Sequence, residues 1–304
     1  MRRVKVSLPA TVTNFGPGLN SLGLALGLRL SVEFTDRADE QLVVETAGEG
    51  AGRYAIGLRH PVLLGLIRIF QVFERAPVGL TLRIDNQIPL ASGLGAEAAF
   101  LIAGVIGGNN LLDSPLKRDA LLRFAAEVSR RPDHAVTAFF GGLTASRAAG
   151  DTLTYARLPV EPMQTVVIVP EIADYESAAR AAVPDRVALA DALDTLGALP
   201  LLLDALRRGD HTLLGAGLRD SLIAPARLAQ IPGATDAIAL AEANGASGVA
   251  LCGAGPALLV FAPRDHRLVA EGMVAAFASQ GVTARALLTA IDTQGIVLSA
   301  ARSA

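Results

Sequence analysis

Apolar and polar residues alternate over Arg3 to Leu8, Leu28 to Phe34, Leu42 to Glu45 and Leu80 to Ile84, and this period of two predicts four strands early in the chain. Pro9 is expected to end the first of them, because proline brings no N–H to a ladder. Between these strands, His60 to Phe73 carries apolar residues at helical spacing, with Pro61 suited to a first turn and His60 to a cap or surface position. Beyond Ile88 the period lengthens. Phe100 to Ile106 continues an apolar helical pattern, Lys117 to Val128 is amphipathic, and Arg131 to Val136 opens a short helix that Gly141 and Gly142 should close.

Strands expected at Leu143 to Ser146 and Leu153 to Leu158 lead to Gln164 to Val169, a continuous apolar run that begins a second half. Apolar blocks between Ala188 and Leu203 predict packing helices. Ser247 to Cys252 and Ala257 to Phe261 read as strands around the turn Gly253-Ala254-Gly255-Pro256. A helix from His266 to Ala278, then strands near Val282 to Leu287 and Ile296 to Leu298, are expected to close that half.

The most informative stretch runs from Ile88 to Ala99, where Pro89 stops a strand and a glycine turn opens a helix. Gly93 and Gly95 can take backbone angles closed to other residues, so the N–H groups of the turn and the helix start can converge on an anion. A phosphate suits that geometry. Glycines that merely relieve crowding at a strand–helix joint give the same pattern. Neither a Walker loop nor a dinucleotide fingerprint is present: no Lys-Ser/Thr follows Gly95, and the third glycine is absent.

Composition narrows the classes. In a chain of 304 residues, 51% hydrophobic content is ample for a buried core. A net charge of −2 gives no electrostatic footprint for nucleic acid or an anionic membrane, and the absence of Trp removes the usual stacking platforms. Lys5 and Lys117 are the only lysines, and neither lies near a glycine turn, so phosphate charge must be met by backbone dipoles, arginine or a metal. The single cysteine, Cys252, rules out an internal disulfide, and the four scattered histidines make no metal spacing. With no apolar run of signal-peptide or membrane length, the cytoplasm is the expected compartment.

Three phrases together resemble one superfamily. Pro89-x-x-x-Gly93-Leu94-Gly95 followed by small residues resembles the phosphate loop of the GHMP kinases. Pro9-Ala10-Thr11-Val12-Thr13-Asn14-Phe15-Gly16-Pro17-Gly18-Leu19-Asn20 is similar to the first motif of homoserine kinases, and Val249 to Pro256 resembles the third GHMP motif, with Cys252 at its serine. The resemblance implies an α+β, two-part fold: an N-terminal ATP-binding part like ribosomal protein S5 over residues 1–160, and a C-terminal ferredoxin-like α/β sandwich over 161–304. Backbone groups of Pro89, Ser92, Gly93, Leu94, Gly95, Ala96, Glu97, Ala98 and Ala99 would cradle ATP. Asn14 and Asn20 would face the substrate, and Arg180 and Arg227 would clamp its carboxylate. The implied reaction is ATP-dependent phosphorylation of the side-chain hydroxyl of a small hydroxy amino acid, L-homoserine, in threonine synthesis.

The departures fall at the metal and the acceptor. A GHMP kinase generally holds Mg²⁺ through a loop serine and a glutamate on the facing helix; here the loop carries Ala96-Glu97 and the helix Ser129. A reciprocal exchange, with Glu97 and Ser129 as the metal ligands, is the expectation. Asn20 replaces an aspartate beside the substrate hydroxyl. His134 stands where related kinases have a catalytic aspartate or an asparagine, and it is the candidate base near pH 7, with Asn20 as its partner at the acceptor. Arg131 replaces a histidine and has no assigned role. Two alternatives stay open: a homologue that binds ligand without turnover, and a kinase for another small hydroxy compound. A homodimer is compatible with the sequence, which does not fix the oligomeric state.

Overall fold

The computed structural model describes residues 2–54, 59–150 and 152–302. A seven-stranded sheet contains β1 (Arg2–Thr13), β2 (Leu22–Arg37), β3 (Leu42–Gly48), β4 (Gly79–Asn86), β5 (Leu143–Ala149), β6 (Thr152–Leu158) and β11 (Val297–Arg302). Its main path runs β11-β1-β2-β4-β3, and β5 joins β2 and carries β6. Among the described residues only β3 and β4 pair in parallel, as the intervening α1 (Pro61–Phe73) requires of a crossover.

The first strand is longer than its pattern predicts. Pro9 does not end it: the β1–β2 register shifts between Pro9 and Ala10, and pairing resumes through Thr13. A bulge absorbs the missing N–H, so the strand delivers Thr11, Thr13 and then Asn14 to the mouth of the sheet. His60 is the N-cap of α1, buried, with Nδ1 accepting from Val62 N at 3.2 Å.

On this sheet lies α2 (Ala96–Leu111), followed by α3 (Arg118–Ser129) and α4 (Pro132–Phe140). Apolar or small residues are buried on every side of α2, which is therefore a central helix with its start held by the glycine turn.

The second sheet is antiparallel in the order β10-β7-β9-β8, from β7 (Gln164–Pro170), β8 (Gly248–Leu251), β9 (Leu258–Phe261) and β10 (Ala284–Ala290). Its helices are α5 (Tyr175–Ala181), α6 (Leu189–Arg208), α7 (His211–Gly217), α8 (Ala224–Leu228), α9 (Ala234–Ala243) and α10 (His266–Ser279). The apolar blocks between Ala188 and Leu203 form one helix, with Pro200 inside it. One hydrophobic core joins the halves, running from Val6 and Phe34 through Phe100 and Phe139 to Val167, Leu259 and Phe261.

The last strand departs from expectation. Instead of closing the second half, β11 adds to the edge of β1 in the first sheet, with Val6 opposite Leu298. Arg29 secures the return: it is ion-paired to Asp292 and donates to Ser7 O and Gly295 O at 3.0 and 2.8 Å.

Candidate active site

The turn between β4 and α2 is built by backbone torsions that glycine supplies. Gly93 and Gly95 have φ of 86° and 76°, and Gly95 is the N-cap of α2 without a side-chain cap. The Ala99 N–H already donates to Gly95 O at 2.9 Å. By helix geometry the N–H groups of Ala96, Glu97 and Ala98 lack intrahelical acceptors and carry the positive end of the dipole. Leu94 is buried, its carbonyl accepting from Thr11 N at 3.0 Å, and Ser92 is buried with Oγ donating to Pro89 O at 2.8 Å. Ser92 thus shapes the turn with its side chain.

The turn after β8 packs directly on this loop. Ala257 N donates to Ser92 O at 3.1 Å, and a Cβ on Gly93 would collide with the carbonyl of Cys252. The two glycine turns therefore fit only bare backbone to bare backbone, which fixes the loop from the second half of the chain. Cys252 is fully buried, and burial pushes its thiol well above the ordinary range.

Next to these turns lies a cleft of about 710 Å³. Asn14, Asn20, Arg180 and Arg227 all line it, although they come from the β1–β2 turn, α5 and α8. Ala254 forms part of its wall and so joins the cleft to the glycine turns. Asn14 has φ 55°, with Oδ1 accepting from Asn20 N at 2.6 Å, which folds the β1–β2 turn and sets both side chains at the cleft. Asp220 performs the same office for α8: its carboxylate accepts from Leu222 N, Ile223 N and Ala224 N at 2.8, 3.2 and 2.9 Å.

Arg227, on that helix, donates through Nη1 to Gly253 O at 3.2 Å, while its Nε is buried without a partner. Burial pulls its pKa below the ordinary arginine value, opposed by Tyr175 and Asp220 and reinforced by Arg131; it remains charged at any physiological pH. Arg227 thus brings a half-buried guanidinium with an unpartnered donor to the cleft lining, the chemistry that suits an anion's oxygen. Arg180 is mostly exposed and donates to Glu176 at 2.8 Å, one turn earlier on α5.

His134 occupies the floor beneath the glycine turn. Its Nδ1 lies 2.7 Å from Thr11 Oγ1, its Nε2 3.2 Å from Thr13 Oγ1 and 3.0 Å from Arg131 Nη2. Arginine can only donate, so Nε2 is the acceptor and the proton sits on Nδ1, directed at Thr11. Burial brings the ring pKa down to about 4, with Asp133 opposing and Arg131 adding to the shift. The ring is neutral near pH 7, with both nitrogens engaged in hydrogen bonds. What His134 does is structural: a Cβ on Gly95 would approach its Nδ1 to 2.6 Å, so the ring props the start of α2.

Two residues that sequence reasoning left without a role complete the cleft. Arg131, half-exposed, and Asp133, largely shielded, both line it. Burial alone would raise the Asp133 pKa, but the Thr13 hydroxyl and the Arg131 guanidinium hold it below the ordinary carboxylate value. The signal for Arg131 was present as an unexplained replacement. Its meaning depended on contacts between α4 and β1 that spacing does not reveal.

Comparison with known proteins decides the family. Residues 63–142 match the GHMP kinases N terminal domain and residues 202–280 the GHMP kinases C terminal domain. A protein named homoserine kinase from Moorella thermoacetica is 34% identical over 91% of this chain and 93% of its own length. Another so named, from Prochlorococcus marinus, is 34% identical over 97% of this chain and 95% of its own. The crystal structure of homoserine kinase from Cytophaga hutchinsonii superposes with a TM-score of 0.84 at 25% identity, covering 98% of this chain and 97% of that one. The chain belongs to the GHMP kinases.

As a GHMP kinase it has the two-domain fold and is an ATP-dependent small-molecule kinase with homoserine kinases as relatives. Its donors do not fit the magnesium pair that the exchange of Glu97 and Ser129 would require. Glu97 is exposed on the first turn of α2, and its charge is felt by Tyr54, whose pKa is raised by burial and then by Glu97. Ser129 is buried, with Oγ donating to Ala126 O and accepting from Arg131 N, both at 3.3 Å. Among the described residues no three His, Cys, Asp or Glu side chains cluster, and no helix is long and apolar enough to cross a membrane.

Proposed function

We propose that this GHMP kinase transfers the terminal phosphoryl group of ATP to the side-chain hydroxyl of L-homoserine, an early step of threonine synthesis. The observation that carries the reading is the convergence of Asn14, Asn20, Arg180 and Arg227 on one cleft beside the glycine turn, with a donor on Arg227 buried and unpartnered. The relatives named homoserine kinase cover nearly the whole chain and support the same substrate.

In this reading the N–H groups at the start of α2 hold the nucleotide phosphates, and the helix dipole favours their charge. Arg227 receives the substrate carboxylate as a planar fork, and Arg180 joins it by leaving Glu176. Asn14 and Asn20 orient the amino acid, so its hydroxyl points toward the loop. In a largely dissociative transfer such positioning supplies most of the catalysis, and a strong base is dispensable.

Initial rates of ADP release with L-homoserine, L-threonine, L-serine and mevalonate test the assignment. L-Homoserine is expected to give the highest kcat/KM by at least tenfold. A higher value for any other acceptor, or ATP binding without turnover of any of them, overturns it.

A further inference from the structure

Arg131 stands at the N-cap of α4, where it is held at three points. Its backbone N–H donates to Ser129 Oγ at 3.3 Å, its Nη2 donates to His134 Nε2 at 3.0 Å, and its Nε lies 3.9 Å from Asp133 Oδ1. The imidazole that it touches is wedged under Gly95, so one ring separates the guanidinium from the start of the phosphate-binding helix. Around half of the side chain is exposed, and it lines the cleft together with Arg130, Arg180 and Arg227 and the carboxylates Asp133 and Glu176.

One of the two expected metal donors has been put to another use. The Ser129 hydroxyl fixes the backbone of Arg131, while Glu97 is exposed on the first turn of α2. A guanidinium two residues along from Ser129 is itself a poor neighbour for a divalent cation. Arg131, a separate replacement two residues on, brings a permanently charged group to the cleft lining.

We propose that Arg131 is a catalytic residue that neutralises the charge of the phosphoryl group in flight, in the place where a protein-held metal would otherwise act. The inference rests on the kinase reading above. The bond between the terminal phosphorus and the bridging oxygen breaks, its electron pair leaving with ADP. The acceptor oxygen forms the new bond to phosphorus and its proton passes to solvent. Negative charge gathers on the bridging and peripheral oxygens, and the guanidinium fork, unlike an ammonium, can meet two of them at once. His134 is the positioning residue that aims it, through a ring nitrogen that the structure leaves proton-free.

The test compares the parent with R131Q and R131K by turnover and by calorimetric titration of ADP with and without aluminium fluoride, a mimic of the transferring phosphoryl group. R131Q is expected to lose roughly 100- to 1,000-fold in kcat, with the acceptor KM held within about threefold, as for removal of a donor made strong only in the transition state. It should bind ADP as the parent does but lose the extra affinity that aluminium fluoride confers. R131K should recover part of kcat. A variant with parental melting temperature that keeps kcat within threefold, or retains the aluminium fluoride effect, overturns the assignment. If the parent turns over none of the acceptors, the substrate reading has failed. The titration still judges Arg131.

Discussion

Nη2 of Arg131 meets Nε2 of His134 at 3.0 Å, and because the guanidinium must donate, this contact fixes the imidazole as its Nδ1–H tautomer. The neutral ring then hands its proton to Thr11 on β1, so α4, the first strand and the glycine turn are tied in one buried chain. The stability of the protein should therefore depend on that ring being uncharged.

The pH dependence follows from the sign of the shift. With a folded pKa of about 4 against an ordinary value of 6.5, the unfolded chain binds more protons between these limits, so stability rises with pH across that window. The contribution is on the order of 3 kcal/mol, complete above the upper limit and gone below the lower one. Urea unfolding midpoints of the parent should fall as pH drops from 6.5 to 4, and those of H134N should fall distinctly less.

Removing Arg227 should be felt in substrate binding rather than in folding. R227Q takes away a desolvated charge whose Nε has no partner in the protein, so its melting temperature should stay close to the parent's. Loss of a charge-assisted, bidentate contact with the substrate carboxylate is worth about 1.5–3 kcal/mol, which is roughly a 10- to 100-fold rise in the homoserine KM at little change in kcat. Steady-state kinetics and a thermal scan read the two effects separately.

Glu97 lies exposed on the first turn of α2, the helix start to which the proposed reading assigns the nucleotide phosphates. Replacing it by alanine removes a negative charge from the nucleotide's approach. E97A should bind ATP about two- to fivefold more tightly at low salt, an effect that fades as salt screens it, with the magnesium dependence of turnover unchanged. A marked increase in the magnesium required by E97A would restore the exchange of metal ligands.

The Cys252 thiol should be inert in the folded enzyme. It is buried, its pKa is raised by desolvation, and the thiolate is the reactive species. An aromatic disulfide reagent should release no chromophore from native protein over minutes, and one equivalent after guanidinium denaturation.

Much of this arrangement was readable from the chain, for physical reasons that differ from element to element. The glycine turn showed itself because Gly93 and Gly95 answer a backbone requirement, which any chain of this fold must meet with the same residue type. Asn14, Asn20, Arg180 and Arg227 were expected through the resemblance, and all four line one cleft. The sequence hid what depends on contacts between distant segments. Pro9 sits within a continuous strand because a register shift accommodates it, and β11 crosses back to pair with β1. His134 looked like a base until its burial between Thr11, Thr13 and Arg131 became visible. Ser129 looked like a ligand, yet its hydroxyl is already occupied by Ala126 and Arg131.

The most direct measurement is ³¹P NMR of the reaction of this protein with ATP and L-homoserine. The account predicts one new phosphomonoester resonance that grows in step with ADP, coupled to the methylene protons of the side chain. Growth of inorganic phosphate alone, or an unchanged ATP spectrum at enzyme concentrations that saturate with nucleotide, would contradict it.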